Sequence, residues 1–213
     1  MKTSDTLERI IREKVIALIR ADGPGSLLEC AGALAAGGLN VIELTMTTPG
    51  AIGVLAQASK SMPGALLGLG TVLDAATVKA GVAAGARFIV TPGLRPEVIK
   101  AAHEEGVPVL SGAFTPTEVA AAADLGADIV KIFPAEFFGP AYIKSLRAVF
   151  PNIRLMPTGG VTAKTLGDFL KAGACAAAAG SSLVEPAALK ARDWPAVTAR
   201  AREFAQAAAA AQS

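Results

Sequence analysis

Eight short apolar segments recur along the chain at nearly even intervals. Counted from first residue to first residue, neighbouring segments lie 19 to 26 positions apart. Each interval therefore has room for one strand, a helix of about three turns and two short loops. Apolar strands that alternate with helices predict a parallel sheet covered by helices. The segments are 15–19, 41–44, 66–69, 88–91, 107–110, 129–133, 154–156 and 176–179.

Helix-start signals lie in the intervals between these segments. Ser26 with Glu29, and Thr115 with Glu118, match the pattern of a capping box. Thr162 is placed to cap the helix that follows the seventh segment. The intervals are therefore predicted to be helical.

Eight strand–helix units predict a closed (β/α)8 barrel of the TIM type. A doubly wound open sheet is the alternative. An open sheet needs no eighth strand and usually carries a glycine-rich fingerprint after the first strand. Residues 19–25, IRADGPG, do not match that fingerprint. We expect one domain over residues 1–213, with an extra helix at 6–12 before the barrel and another at 195–210 after it.

Composition excludes several classes of protein. Hydrophobic residues make up 52% of the chain and the mean hydropathy is +0.48, which fits strands buried on both faces or an apolar oligomer interface. No segment approaches the roughly 20 apolar residues of a membrane span, so we expect no membrane partner. A net charge of +2 with scattered basic residues does not predict nucleic-acid binding. The charged N-terminus is not a secretory signal, and we expect a cytoplasmic protein.

Potential metal ligands are sparse. Cys30 and Cys175 form no CxxC motif and are expected to be reduced, apolar fillers. His103, the single histidine, is expected on the surface near the end of a helix. One histidine and no acidic cluster predict no zinc or iron site.

Two ionisable residues stand inside apolar strand segments, Lys131 in the sixth and Glu43 in the second. Burial lowers the pKa of an amine, and a neutral Lys131 would be a nucleophile that forms Schiff bases with ketones and aldehydes. The alternative is an exposed lysine whose stem packs on apolar neighbours. Glu43 can shuttle protons if burial raises its pKa. A salt bridge from Glu43 to Arg20 or Lys131 is a compatible interpretation.

The loops after the seventh and eighth strands have a sequence that is typical of phosphate binding. Barrel enzymes build their sites at the carboxyl ends of the strands, and these two loops commonly bind phosphate there. The pair Gly159 and Gly160 allows backbone N–H groups to approach an anion, and Thr158 precedes it. Gly180 and Ser181 supply a second wall. Either glycine position alone also fits plain loop geometry, whereas the two together favour phosphate.

The remaining candidates suggest a reaction. Arg20 and Thr71 follow the first and third strands and would hold a substrate carboxylate. Lys131 would condense with a ketone, and Glu43 would take and return protons as a carbon–carbon bond breaks. Glu136 lies in a loop after the sixth strand, which does not favour a catalytic role.

Six phrases occur in order along the chain: VIELT at 41–45, GLGTV at 68–72, FIVTPG at 88–93, KIFPAE at 131–136, PTGGV at 157–161 and GSSLV at 180–184. In these phrases the chain resembles the 2-keto-3-deoxy-6-phosphogluconate (KDPG) aldolase family. That family also contains 4-hydroxy-2-oxoglutarate (KHG) and 2-keto-3-deoxy-6-phosphogalactonate aldolases. The resemblance extends from about residue 15 to residue 184.

The resemblance implies that Lys131 is the Schiff-base lysine and that Glu43 is the acid and base. It also implies a cytoplasmic homotrimer that needs no cofactor. Such an enzyme would cleave a phosphorylated oxo acid to pyruvate and glyceraldehyde 3-phosphate. The resemblance further implies a pocket for the pyruvyl group that is lined by Thr71, Pro92 and Phe133. The distal hydroxyls and the phosphate of the substrate would face Thr158, Gly159, Gly160 and Ser181.

One departure from the family concerns the substrate carboxylate. Some members grip it with an arginine four residues after the glutamate, where this chain has Thr47. Arg20 resembles the arginine that other members place at the end of the first strand, and we hypothesise that it supplies the missing charge. Residues 138–144 resemble the phosphogalactonate branch as well as some phosphogluconate members, so the preferred stereochemistry stays open.

Two other classes of function remain as alternatives. One is a phosphate-binding barrel isomerase or synthase in which Lys131 acts as a cation or general acid. The other is a non-catalytic barrel that serves as an oligomeric or ligand-binding module. Neither of them predicts a covalent adduct between Lys131 and an oxo acid.

Overall fold

A computed structural model describes residues 3–211 and contains eight parallel strands. They are β1 (Val15–Ile19), β2 (Val41–Thr45), β3 (Leu66–Gly70), β4 (Phe88–Val90), β5 (Val109–Ala113), β6 (Ile129–Ile132), β7 (Leu155–Pro157) and β8 (Ala177–Ala179). They pair in the order β7-β6-β5-β4-β3-β2-β1-β8. A bridge between Thr158 and Ala178 joins the two ends of the sheet. This closure confirms the predicted (β/α)8 barrel and excludes the open sheet.

Helices alternate with the strands and surround the barrel. The helices are α1 (Thr3–Glu13), α2 (Leu27–Ala36), α3 (Ala51–Ser61), α4 (Ala75–Ala83), α5 (Pro96–Glu104), α6 (Pro116–Asp124), α7 (Gly139–Val149), α8 (Ala163–Lys171), α9 (Pro186–Ala191) and α10 (Trp194–Ala210). The two predicted extra helices are confirmed as α1 and α10, with slightly wider bounds. The short helix α9, in the connection after β8, was not predicted.

The barrel interior is apolar in its amino-terminal half. A buried cluster there includes Ile16, Val41, Leu66, Phe88, Ile129 and Met156, and Leu7 and Ile10 of α1 belong to the same cluster. Helix α1 therefore closes that end of the barrel. Since side chains alternate along a strand, residues two positions after Val41 and Ile129 face the same interior one layer nearer the carboxyl ends. Those residues are Glu43 and Lys131.

The predicted capping box at Ser26 is wrong. Ser26 precedes α2, but its side chain makes no capping hydrogen bond. Its backbone (φ −129°, ψ 1°) continues the 3-10 turn Pro24–Ser26 instead of taking the extended conformation of a capping residue. Thr115 and Thr162 do cap α6 and α8 as predicted.

Strand β5 begins two residues later than the apolar pattern predicts. The N–H of Val107 donates to the carbonyl of Ala102 at the end of α5, so it is not available to the sheet. Pro108 has no N–H to donate. The paired part of the strand therefore starts at Val109 and runs on through Ala113.

Other predicted features can be located in the described residues. His103 is exposed near the end of α5, with its Nε2 atom 3.1 Å from a carboxylate oxygen of Asp128. Within residues 3–211, no group of three or more His, Cys, Asp or Glu side chains is arranged to hold a metal ion. None of the described helices combines the length and apolar character needed to cross a bilayer.

Candidate active site

Lys131 projects into the carboxyl-terminal half of the barrel from β6. The residue is only 5% exposed, and its Nζ atom lies 5.2 Å from the centroid of the Phe133 ring. Burial lowers the pKa of this amine; the charge of Glu43 opposes the shift and that of Arg20 adds to it. The alternative of an exposed lysine is therefore wrong, and burial biases the amine towards its neutral, nucleophilic form.

Glu43 projects into the same interior from β2 and is fully buried. Neither carboxylate oxygen has a hydrogen-bond partner among the described residues. Burial raises the pKa of this carboxyl, while the charges of Lys131 and Arg20 lower it. None of the ion pairs found within residues 3–211 involves Glu43, so the salt-bridge interpretation is wrong. The carboxyl is poised to exchange a proton with a group that enters the barrel.

Gly70, at the end of β3, makes room for the Glu43 carboxylate. A Cβ atom at Gly70 would lie 1.8 Å from Oε1 of Glu43, which is far inside contact distance. The next residue, Thr71, has a positive φ of 57°, an uncommon conformation for a β-branched residue. Such strain is often retained at functional sites. Thr71 thus lies at the rim of the site, adjacent in sequence to the wall of the Glu43 pocket.

We expect Gly70→Ala to abolish activity and to destabilise the fold. The added methyl group must displace the carboxylate of Glu43, and overpacking of this kind costs about 1 to 3 kcal/mol. Urea denaturation and steady-state kinetics measure the two effects. Gly64→Ala is the matched control, because no heavy atom lies within 4 Å of a Cβ atom at that position. Full activity in Gly70→Ala would contradict the placement of Glu43.

Pro92 lies near Lys131 on the side of strand β5. Gly112 of β5 pairs with Lys131 of β6. A Cβ atom at Gly112 would lie 2.3 Å from the carbonyl carbon of Pro92, so the two backbones are in close contact there. Pro92 is therefore one strand away from the Lys131 backbone, in the region where the resemblance expects the pyruvyl pocket.

The loops predicted to bind phosphate form the wall of a cavity of about 520 Å³. Seven predicted site residues line it: Arg20, Phe133, Thr158, Gly159, Gly160, Gly180 and Ser181. Lys131, Glu43, Thr71 and Pro92 are not among the lining residues. Phe133 connects the two groups of residues, because it lines the cavity and its ring also faces the Nζ atom of Lys131. The predicted residues are thus divided between a buried interior, which holds Lys131 and Glu43, and a neighbouring, open cavity.

The two loops of the cavity wall are tied together and to helix α10. The Ser182 hydroxyl after β8 donates a hydrogen bond to the carbonyl of Val161 after β7. Arg200 of α10 donates to the Ser182 carbonyl (3.4 Å) and to Oε1 of Glu185 (2.5 Å). These contacts cannot be predicted from the sequence, since residues so far apart in the chain carry no local signal of their proximity.

Polar groups of the cavity are free to meet a ligand. The hydroxyl of Thr158 is buried and has no hydrogen-bond partner among the described residues. Gly159 and Gly160 both have positive φ, 97° and 68°, so the loop takes a conformation that only glycine adopts readily. Consecutive main-chain N–H groups in such loops form concave anion sites.

The cysteines do not compete with Lys131 as nucleophiles. Burial raises the pKa of Cys30 to about 12 and that of Cys175 to about 11. Both thiols are therefore protonated at neutral pH, and a thiol is a poor nucleophile compared with a thiolate. Their placement agrees with the prediction of apolar fillers.

A family model and relatives of 30% identity or more identify one family. The model of the "KDPG and KHG aldolase" family matches residues 7–200. A 2-dehydro-3-deoxy-phosphogluconate aldolase from Pseudomonas aeruginosa is 37% identical over 200 residues, which cover 93% of this chain and 90% of that protein. A probable 2-dehydro-3-deoxy-6-phosphogalactonate aldolase from Rhizobium meliloti is 37% identical over 174 residues, or 81% of this chain and 82% of that protein.

A solved structure extends the comparison to three dimensions. The KDPG aldolase of Legionella pneumophila, with pyruvate captured as a covalent carbinolamine, superposes with a TM-score of 0.83 at 30% identity. The match covers 93% of this chain and 97% of that one. With a family model that spans most of the barrel, relatives above 30% identity and the predicted fold, the chain belongs to the KDPG and KHG aldolase family.

Proposed function

We propose that the chain is a Schiff-base aldolase that cleaves KDPG to pyruvate and glyceraldehyde 3-phosphate. The observation that carries this proposal is the pairing of a buried amine, Lys131, with a buried and unpartnered carboxyl, Glu43. Each of the two influences the pKa of the other. Membership of the aldolase family and the names of the relatives support the same reaction.

The first half of the reaction forms the covalent intermediate. The neutral amine of Lys131 attacks the C2 carbonyl of the substrate, and Glu43 passes a proton to the developing alkoxide. Loss of water from this carbinolamine gives an iminium ion. The positive nitrogen then draws electrons from the bond between C3 and C4.

The second half breaks and rebuilds bonds around that nitrogen. Glu43 takes the proton of the C4 hydroxyl, the C3–C4 bond breaks, and glyceraldehyde 3-phosphate leaves. The remaining enamine receives a proton at C3 from Glu43. Water then hydrolyses the iminium, which releases pyruvate and restores the Lys131 amine. One water is released and one consumed, so the net reaction is cleavage alone.

The cavity beside the reactive pair would hold the rest of the substrate. We assign the phosphate to the main chain at Gly159 and Gly160 and to Ser181, and the distal hydroxyls to Thr158. Thr71, Pro92 and Phe133 would surround the pyruvyl group. Arg20 both lines the cavity and influences the pKa values of Glu43 and Lys131, so it lies between the two halves of the site.

Arg20 is proposed to hold the substrate carboxylate in place of the arginine absent at Thr47. We expect Arg20→Ala to raise the KM for pyruvate in the condensation direction about tenfold, the loss typical of a hydrogen bond to a charged group. Arg87→Ala, exposed just before β4, is the control. An unchanged KM for pyruvate would refute this role, and a raised KM for the phosphorylated aldehyde alone would assign Arg20 to the phosphate.

Reduction with borohydride in the presence of pyruvate tests the proposed function. The wild-type protein is expected to gain the mass of one reduced pyruvyl group on Lys131, and Lys131→Ala is expected to gain none. Intact mass followed by peptide mapping gives the site. A phosphate-binding isomerase, synthase or non-catalytic barrel forms no such adduct, so its absence in the wild type would favour those alternatives.

A second candidate substrate is 2-keto-3-deoxy-6-phosphogalactonate. The relative from Rhizobium meliloti carries that probable assignment at the same identity as the phosphogluconate enzyme. The two substrates differ in configuration at C4, the carbon that loses its bond to C3. Comparison of kcat/KM for both compounds, and for 4-hydroxy-2-oxoglutarate, identifies the preferred one.

We also propose that the enzyme is a cytoplasmic homotrimer, as the family resemblance implies. The surface retains large exposed apolar side chains, among them Phe137 and Val149, both 70% exposed, and Phe138 at 58%. Side chains of this kind are often covered by a partner subunit. Analytical ultracentrifugation should give three times the 21.4 kDa mass of the chain, and a monomer in dilute solution would contradict the proposal.

A further inference from the structure

The cavity contains one acidic side chain among its lining residues, and the mechanism above does not use it. Glu136 lies on the 3-10 turn Ala135–Phe137, directly after β6 and its Phe133–Pro134 connection. The Ala135 N–H donates to the carbonyl of Thr158 at 2.8 Å, which ties this turn to the β7 loop. The position of Glu136 at the cavity is therefore built into the fold.

Glu136 is packed against both glycines of the proposed phosphate site. A Cβ atom at Gly159 would lie 3.3 Å from Oε2 of Glu136, and one at Gly160 would lie 3.5 Å from the same oxygen. The Gly160 position is also only 2.6 Å from the Glu136 Cβ atom, so a side chain there would collide with it. The carboxylate thus borders the site where an anion is expected to bind.

The Glu136 carboxylate is not neutralised by a neighbour. No hydrogen bond or ion pair of Glu136 is present in the part of the chain that the structure describes, although the Arg20 guanidinium lines the same cavity. The side chain is exposed to solvent at the mouth. An exposed carboxylate with no ion-pair partner among the described residues therefore lies beside the two glycines of the proposed phosphate site.

This arrangement has two physical consequences. A phosphate group carries a charge of about −1.5 to −2 at neutral pH, so the carboxylate repels it. An ionised carboxylate can only accept hydrogen bonds, so it favours a ligand that brings hydroxyl donors. Inorganic phosphate brings no donor beyond its own P–OH group, whereas a phosphorylated polyol chain can place a carbon-bound hydroxyl against the carboxylate while the phosphate stays at the loop.

We propose that Glu136 is a specificity-determining residue that makes the cavity select a phosphate ester of a hydroxylated chain over free inorganic phosphate. The inference rests on the proposed function, because it takes the Gly159–Gly160 loop as the phosphate site. In KDPG the required donor is a hydroxyl of the glyceraldehyde half. Glu136 contacts that half alone, so it takes no part in the chemistry at Lys131.

Two substitutions separate the charge from the hydrogen bond. Glu136→Gln removes the charge but keeps an acceptor oxygen, and Glu136→Ala removes both. Glu105→Gln is the control, since it makes the same change of charge at an exposed site at the opposite end of the barrel. Binding of inorganic phosphate is measured by ³¹P NMR titration at fixed ionic strength, and kcat/KM is measured for KDPG cleavage.

We expect both Glu136 variants to bind inorganic phosphate about three- to tenfold more tightly than the wild type, as loss of one repulsive charge near the surface implies. We expect kcat/KM for KDPG to fall about tenfold in Glu136→Ala and less in Glu136→Gln. The control should match the wild type. Phosphate affinity that stays within twofold in both variants would overturn the proposal, and so would a kcat/KM that rises in both.

Pyruvate trapping distinguishes this proposal from the proposed function. Borohydride trapping of pyruvate at Lys131 does not require the phosphate site, so every Glu136 variant should trap pyruvate as the wild type does. A wild type that traps no pyruvate would refute the aldolase function. Normal trapping combined with unchanged phosphate affinity would refute only the role of Glu136.

Discussion

Lys131→Met is expected to lower kcat for aldol cleavage by about 10⁴-fold or more, while the protein becomes more stable. Methionine keeps the length of the side chain but cannot form the covalent intermediate on which every later step depends. Steady-state kinetics and borohydride trapping measure the loss. Lys144→Met, on the exposed face of α7, is the matched control and should behave as the wild type.

The gain in stability follows from the burial of the amine. At neutral pH the amine must give up its proton to be buried, which costs about 1.4 kcal/mol for each unit by which its pKa is depressed, and methionine removes that cost. The folded-state pKa of Lys131 is depressed below its ordinary value of 10.5. The cost of burying the amine is therefore absent above pH 10.5 and grows as the pH falls through that value towards the folded-state pKa.

Urea denaturation of the wild type and Lys131→Met at pH 7 and again above pH 10.5 measures this linkage. The difference in unfolding free energy should be largest at pH 7 and should shrink towards zero at the alkaline end. A Lys131→Met protein that is less stable than the wild type at pH 7 would contradict a dry, charge-disfavouring environment for the amine.

Glu43→Gln is expected to lower kcat by about 10² to 10⁴-fold, the range found when a general acid–base is removed. The amide fits the same volume but cannot exchange protons. It also removes the charge that raises the pKa of Lys131, so that pKa should fall further. The Lys131 amine of the variant should then remain neutral, and form the pyruvate adduct, at lower pH than in the wild type.

The yield of borohydride-trapped pyruvate as a function of pH tests the coupling. The acid limb of the profile should move to lower pH in Glu43→Gln, even though turnover is slow. An acid limb that moves to higher pH would contradict the claim that the charge of Glu43 raises the pKa of Lys131. Glu105→Gln provides the control, because it alters a distant surface charge by the same amount.

The difference in unfolding free energy between Glu43→Gln and the wild type should also depend on pH. It should grow as the pH rises, whereas the difference for Lys131→Met should shrink. The folded-state pKa of Glu43 is raised above its ordinary value of 4.5, so its ionisation is disfavoured in the fold. The glutamine variant should gain stability over the wild type as the pH rises above 4.5, and should match it below that pH. Thermal unfolding across this range measures the difference.

Much of the fold could be predicted because its signals are local. The period of the apolar segments follows from the length of a strand–helix unit, and the capping residues Thr115 and Thr162 act within one turn of their helices. The two wrong predictions arose where one local preference overrode another. The 3-10 turn before α2 takes Ser26 out of the conformation of a capping residue. The hydrogen bond of Val107 to the end of α5, and the missing N–H of Pro108, make β5 begin at Val109.

The chain's own pattern placed Lys131 and Glu43 within apolar strands near their carboxyl ends, but it left an exposed Lys131 as an alternative that only the structure excluded. It carried no information on contacts between distant units. Three contacts arise only when the barrel closes. They are the close approach of Gly70 to Glu43, the packing of Glu136 against Gly159 and Gly160, and the hydrogen bond from Arg200 to the Ser182 carbonyl. Closure brings together elements that are far apart along the chain, so that Glu43 and Lys131 share one buried interior while Glu136 lies at its exposed mouth. The shifted pKa values of Glu43 and Lys131 follow from that shared burial, and only the tertiary structure produces it.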